Sequence, residues 1–169
     1  MNWPIRSVGV AVFGLTLLGG GACSHDGSSA TGVLGATFQR QAGSVCRSAL
    51  AKVQAEGKFP YPAFNPTQPD VSMLPMVAAW QQKLNPIYTT WLSDMTSLGQ
   101  PPTGRTRWDA VVSALRDHVR ITDDQISAAL RGDAKTFTKD YYLGGNAVAR
   151  MRTAAGAAGV PACYLALAA

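Results

Sequence analysis

The sequence predicts an all-α protein: an up-down-up-down four-helix bundle over residues 34–169, behind an N-terminal signal peptide (1–22) and a flexible tether (23–33). Three observations carry that expectation. Four segments place apolar residues at alternating steps of three and four, the spacing that gathers one face of a helix. Glycine and proline concentrate in the intervals between those segments. No alternating strand pattern of comparable length competes with them.

Met1–Arg6 carries one positive charge, Ser7–Leu18 is almost wholly apolar, and Gly19–Ala22 consists of small residues. A basic start, a short apolar run and a small-residue exit form the layout of a secretory signal. The run is too short to span a bilayer, which takes about 20 residues. Cys23 follows directly, and the segment resembles the lipobox of bacterial lipoproteins, in which the Cys thiol is acylated, with palmitate for example, and becomes the new N-terminus. That family usually has Leu three residues before the Cys; here the position is Gly20 and the nearest leucine is Leu18. Gly20 and Ala22 also suit an ordinary signal peptidase, which would leave Cys23 unlipidated and the protein secreted. The lipobox resemblance implies a lipid anchor on the extracytoplasmic side of the cell membrane. "SHDGSSATG", residues 24–32, then reads as a solvated tether whose Gly, Ser and Asp bury too little apolar surface to offset chain entropy. His25 belongs to that tether.

The three cysteines, Cys23, Cys46 and Cys163, are an odd number for an exported chain. If Cys23 carries lipid, Cys46 and Cys163 remain as one pair, and an oxidising compartment makes a disulfide the default. Closing so long a loop stabilises the fold by about 4–5 kcal/mol in the chain-entropy model. Removal of residues 1–22 leaves 147 residues, a one-domain length, and lowers the formal charge from +5 to +4 through loss of Arg6. The basic residues are spread out. That pattern permits weak attraction to an anionic membrane surface and argues against nucleic-acid binding, which needs a concentrated patch.

The first helix is expected from about Leu34 to Glu56, on a stripe through Phe38, Ala42, Val45, Ala49 and Val53. Gly57–Val71, rich in proline, breaks it. The second runs from a cap at Ser72 to Leu98, with Val77, Trp80, Leu84, Trp91 and Met95 on its stripe. Pro101, Pro102 and Gly104 separate it from the third, about Thr106 to Arg131. Thr122–Gln125 has the form of a capping box, but the apolar stripe continues across it and the helix is expected whole. Gly132 ends the third helix and Asp133 caps the fourth, Ala134–Ala158, which Gly159 and Pro161 close. Short links favour antiparallel neighbours. One tension follows from this layout: Cys46 falls mid-helix, while Cys163 lies beyond the fourth helix. Either the first helix overhangs the bundle at its N-terminal end, or Val160–Tyr164 folds back.

An early helix with one Cys, "FPYPAFNP" at 59–66, Asn85-Pro86 inside the second helix, Pro101-Pro102 and the closing "GVPAC" at 159–163 form a further set. Together they resemble small exported helical lipoproteins of actinobacterial type, mostly without assigned activities. The resemblance spans roughly residues 35–165 and rests on spacing and loop composition. It implies an envelope location and a helical fold, and supplies no active-site residues.

No G-x-S-x-G elbow, H-E-x-x-H, phosphate-binding glycine loop or cysteine cluster is present, so no catalytic residue, metal ligand or cofactor is assigned and a non-enzymatic role is expected. His118 lies beside the third helix's apolar stripe, where water or a neighbouring acid ordinarily satisfies such a histidine. Adjacent Asp123 and Asp124 diverge on a helix and do not form a catalytic pair. Two candidate surfaces remain. Pro86, His118 and Gly144-Gly145 fall near the midpoints of three helices, at similar height in an antiparallel arrangement. Tyr88, His118, Tyr141 and Asn146 would gather there around a pocket for a small hydrophobic or amphipathic ligand. The alternative is a proline kink matched by glycines that allow close packing. In Lys58–Val71, Phe59, Tyr61 and Phe64 alternate with prolines, either covering one end of the core or offering a docking edge to an envelope protein partner. The leading expectation is an interaction or accessory role in the cell envelope, with ligand carriage second.

Overall fold

Phe38, Ala42, Cys46, Ala49 and Val53 recur at helical spacing and are all buried, which fixes the inward face of α1 (Ala36–Ala55). The computed structural model describes residues 32–168; the expected signal peptide, Cys23, His25 and the expected tether up to residue 31 lie outside the described residues. Within them the chain is all-helical, with α2 (Leu74–Ser97), α3 (Arg105–Leu130), α4 (Ala134–Ala158) and α5 (Ala162–Ala168) following α1, and no strand.

The ends of these helices show why the chain turns where it does. Asp70, rather than Ser72, provides the cap ahead of α2: its carboxylate accepts from the Ser72 N–H at 2.9 Å and starts a 3₁₀ turn, Val71–Met73. Pro75 occupies the first turn of α2, where the missing N–H costs nothing. Gly104, with φ +74°, precedes α3; a Cβ there would run into the Gly32 carbonyl. Thr122 does not interrupt α3, because its hydroxyl bonds back to the His118 carbonyl at 2.9 Å and leaves the helix continuous. Asp133 caps α4 by accepting from the Thr136 N–H at 3.0 Å. Gly159 closes it with φ +75°, and the Val160 N–H reaches the Ala155 carbonyl at 2.9 Å, the six-to-one bond of a Schellman end.

The tail holds a helix that the sequence reading does not contain. Pro161, taken there as a stop, opens α5 instead, its carbonyl accepting from Tyr164 at 3.1 Å and Leu165 at 3.3 Å. Proline suits the first turn of a helix as well as the space after one. α5 folds back and packs on both α1 and α4, which resolves the position of the cysteines. Cys46 and Cys163 are joined, with Sγ atoms 2.01 Å and Cα atoms 4.7 Å apart. Both are fully buried, and Met95 lies 3.6 Å from the Cys46 sulfur.

The core is in two parts. The larger joins α1, α5, the C-terminal half of α2, the N-terminal half of α3 and the C-terminal half of α4 around Trp91, Trp108 and Met151. The smaller gathers Leu74, Val77, Ile126, Ala129 and Phe137 at the other ends of α2, α3 and α4. α1 contributes to the larger part alone. At the level of the smaller one its place is taken by Phe64 of the link that follows it.

Candidate functional site

The apolar stripes of three helices are interrupted at one level. On α2 Gln81 falls between Val77 and Leu84, and on α3 His118, Thr122 and Gln125 share one face. On α4 Gly144 and Gly145 supply no side chain there. Glycine in a helix interior costs about 1 kcal/mol against alanine, so the pair leaves space at a cost in helix stability. The result is a cavity of 440 Å³ between the two parts of the core, walled by α2, α3, α4 and the Phe59–Pro66 segment. That volume lies within the range of about 300–1,000 Å³ common for small-molecule sites.

The link forms the fourth wall through its aromatic residues. Phe64 meets Phe137 edge-on at 5.7 Å and Phe59 at 6.2 Å, while Phe59 meets Trp80 at 6.3 Å. Edge-to-face pairs of this kind hold rings in register beyond the gain from area alone. The Thr138 hydroxyl donates to the Pro66 carbonyl at 3.2 Å and ties the segment to α4. Tyr61 packs outside this wall, against Phe59 at 5.4 Å. Phe59 itself is 37% exposed and stands at the rim.

The polar groups of the wall are neutral. The Gln81 amide donates to Gln125 Oε1 at 2.5 Å, leaving Gln81 Oε1 buried without a partner. His118 Nδ1 is also buried without one, and the Tyr88 ring stands edge-on to the imidazole at 4.9 Å. Burial lowers the His118 pKa to about 4 and raises that of Tyr88 to about 12, so neither is charged at neutral pH. Among the described residues no Lys, Arg, Asp or Glu lines the cavity. Lys83 lies outside it, its ammonium 5.8 Å over the Trp80 ring.

Of the four residues expected around a pocket, Tyr88, His118 and Tyr141 do line this cavity, and Asn146 does not: it is exposed on α4. Sequence reasoning missed Trp80, Gln81, Leu84, Thr122, Gln125 and Phe137. Gln81 and Gln125 carried a usable signal, being polar residues set within otherwise apolar stripes. A second hollow of 690 Å³ runs between α3 and α4 over Ala110, Ala114, Ala154 and Ala157, with Arg107 and Arg150 at its sides. Arg150 is paired with Asp117 at 2.9 Å, and among the described residues no aromatic side chain lines the groove.

Among the described residues no three His, Cys, Asp or Glu side chains gather as a metal site, and no helix is long and apolar enough to cross a membrane. The cavity, open to solvent along its Phe59, Tyr141 and Gly145 rim, can receive an apolar group and offer it neutral hydrogen-bond partners. Compared with family models, with curated proteins and with solved structures, the chain matches none.

Proposed function

We propose that this chain is an exported, lipid-anchored protein of the cell envelope with a non-enzymatic role, holding a small hydrophobic or amphipathic ligand. In this reading residues 1–22 direct export, Cys23 carries the acyl anchor, and the four long helices run up-down-up-down beneath the anchor. The observation that carries the ligand reading is the 440 Å³ apolar cavity at the level where three helices give up their packing residues. The buried Cys46–Cys163 pair is consistent with life in an oxidising compartment.

A second reading, an accessory protein that docks an envelope partner through Phe59, Tyr61 and Phe64, draws on the 37% exposure of Phe59. Alanine at all three positions separates the two. Loss of stability together with loss of ligand fits a cavity wall; unchanged folding and ligand binding fits a docking edge.

Intact and native mass spectrometry of the protein from its own membrane fraction tests the main reading. The expected result is an N-terminus at acylated Cys23 and a small apolar molecule released on denaturation. Protein that carries none, and that fails to bind N-phenyl-1-naphthylamine after delipidation, would overturn it.

A further inference from the structure

We propose that the cavity selects an uncharged amphiphile, a single alkyl chain ending in a hydroxyl or similar neutral hydrogen-bonding group, over a fatty carboxylate or an alkylammonium. This rests on the ligand-holding reading and names the class of ligand.

The alkyl part is specified by the walls: Phe64, Val77 and Phe137 at one end, Leu84 and Val148 further along. The head group is specified by what stands between them. His118, Thr122 and Gln125 lie along one face of α3 over seven residues, about 10 Å of helix, with Gln81 opposite on α2. These are amides, a hydroxyl and an imidazole that burial keeps neutral. The mutual bond between the two glutamines uses one donor and one acceptor and leaves neutral amide functions on both. A hydroxyl can donate and accept among such groups. A carboxylate or an ammonium ion set among these groups would give up part of its hydration and find no counter-charge, because none of the lining residues carries one.

Lys83 does not reverse this preference. It is exposed, its charge faces the Trp80 ring from outside the cavity, and a carboxylate could meet it only in water, where such pairs contribute little.

The test is displacement of N-phenyl-1-naphthylamine from the delipidated processed protein at pH 7.5 by decan-1-ol, decanoate and decyltrimethylammonium. Decanol is expected to bind at least tenfold more tightly than either ion. From octanol to decanol, affinity should rise about fourfold per methylene, as burial of each CH₂ predicts. Gly144→Leu, whose side chain would extend into the cavity, should weaken decanol at least tenfold while the far-UV circular dichroism stays helical. Decanoate binding as tightly as decanol, or more tightly and lost in Lys83→Ala, would overturn the neutral-ligand inference and leave the ligand-holding reading in place. Failure of all three ligands and of the probe would overturn both.

Discussion

His118 shows how one residue ties stability to pH. Its folded pKa of about 4 lies below the ordinary value of 6.5, because burial disfavours the imidazolium. The unfolded chain therefore takes up the proton first as pH falls. The associated stability is fully present above pH 7, declines as pH drops below 6.5 and levels off below 4. Between pH 7.5 and 4.5 the loss is about 2–3 kcal/mol. Urea unfolding at the two pH values measures it, and His118→Phe should remove most of the difference. Glycine contrasts are equally specific. At Gly144 a Cβ would meet only the Ile121 methyl at 3.8 Å, so Gly144→Ala should stabilise α4 by about 1 kcal/mol in thermal unfolding. Gly104→Ala should instead destabilise by more than about 1 kcal/mol, since it combines φ +74° with a clash against the Gly32–Leu34 backbone.

At the scale of elements, the links decide what the helices leave open. Phe64 seals one end of the core against Phe137, so Phe64→Ala should cost about 1–3 kcal/mol and weaken probe binding, as chemical denaturation and titration would show. Phe59→Ala, at the exposed rim, should cost less. The sequence made the long helices legible because caps and glycines bracket them: Asp133 and Gly159 give the bounds of α4 as the structure has them. α5 was not legible, because a proline after a helix signals a stop and a new start equally well. The level of the cavity could be read from Pro86, His118 and Gly144-Gly145. Its membership could not be read fully. Asn146 is two residues beyond Gly144, about 200° around the helix, and so turns away from the face that Gly144 shares with Tyr141 and Val148. That Phe59 and Phe64 could cover one end of the core was legible, and Phe64 does so against Phe137; which helices the link would cover was not, because nothing within a proline-rich link says so.

At the scale of the whole molecule, α1 and α5 are joined where neither could be positioned by its own links alone. α5 is seven residues long, too short to persist as an isolated helix, and it depends on packing against α1 and α4 around the buried sulfurs. Cys46→Ser with Cys163→Ser should cost about 3–5 kcal/mol, seen as a lower urea midpoint, and native protein should show no reactive thiol at either position. The covalent bond has a further effect on how the molecule responds to damage. It closes residues 46–163 into a ring, and Lys58 and Phe59 stand exposed at the start of the proline-rich link within it. A single tryptic cut after Lys58 would open the ring without dividing the molecule: one band on a non-reducing gel, two once dithiothreitol is added. The protein would thus survive a nick at this exposed bond as one tethered particle.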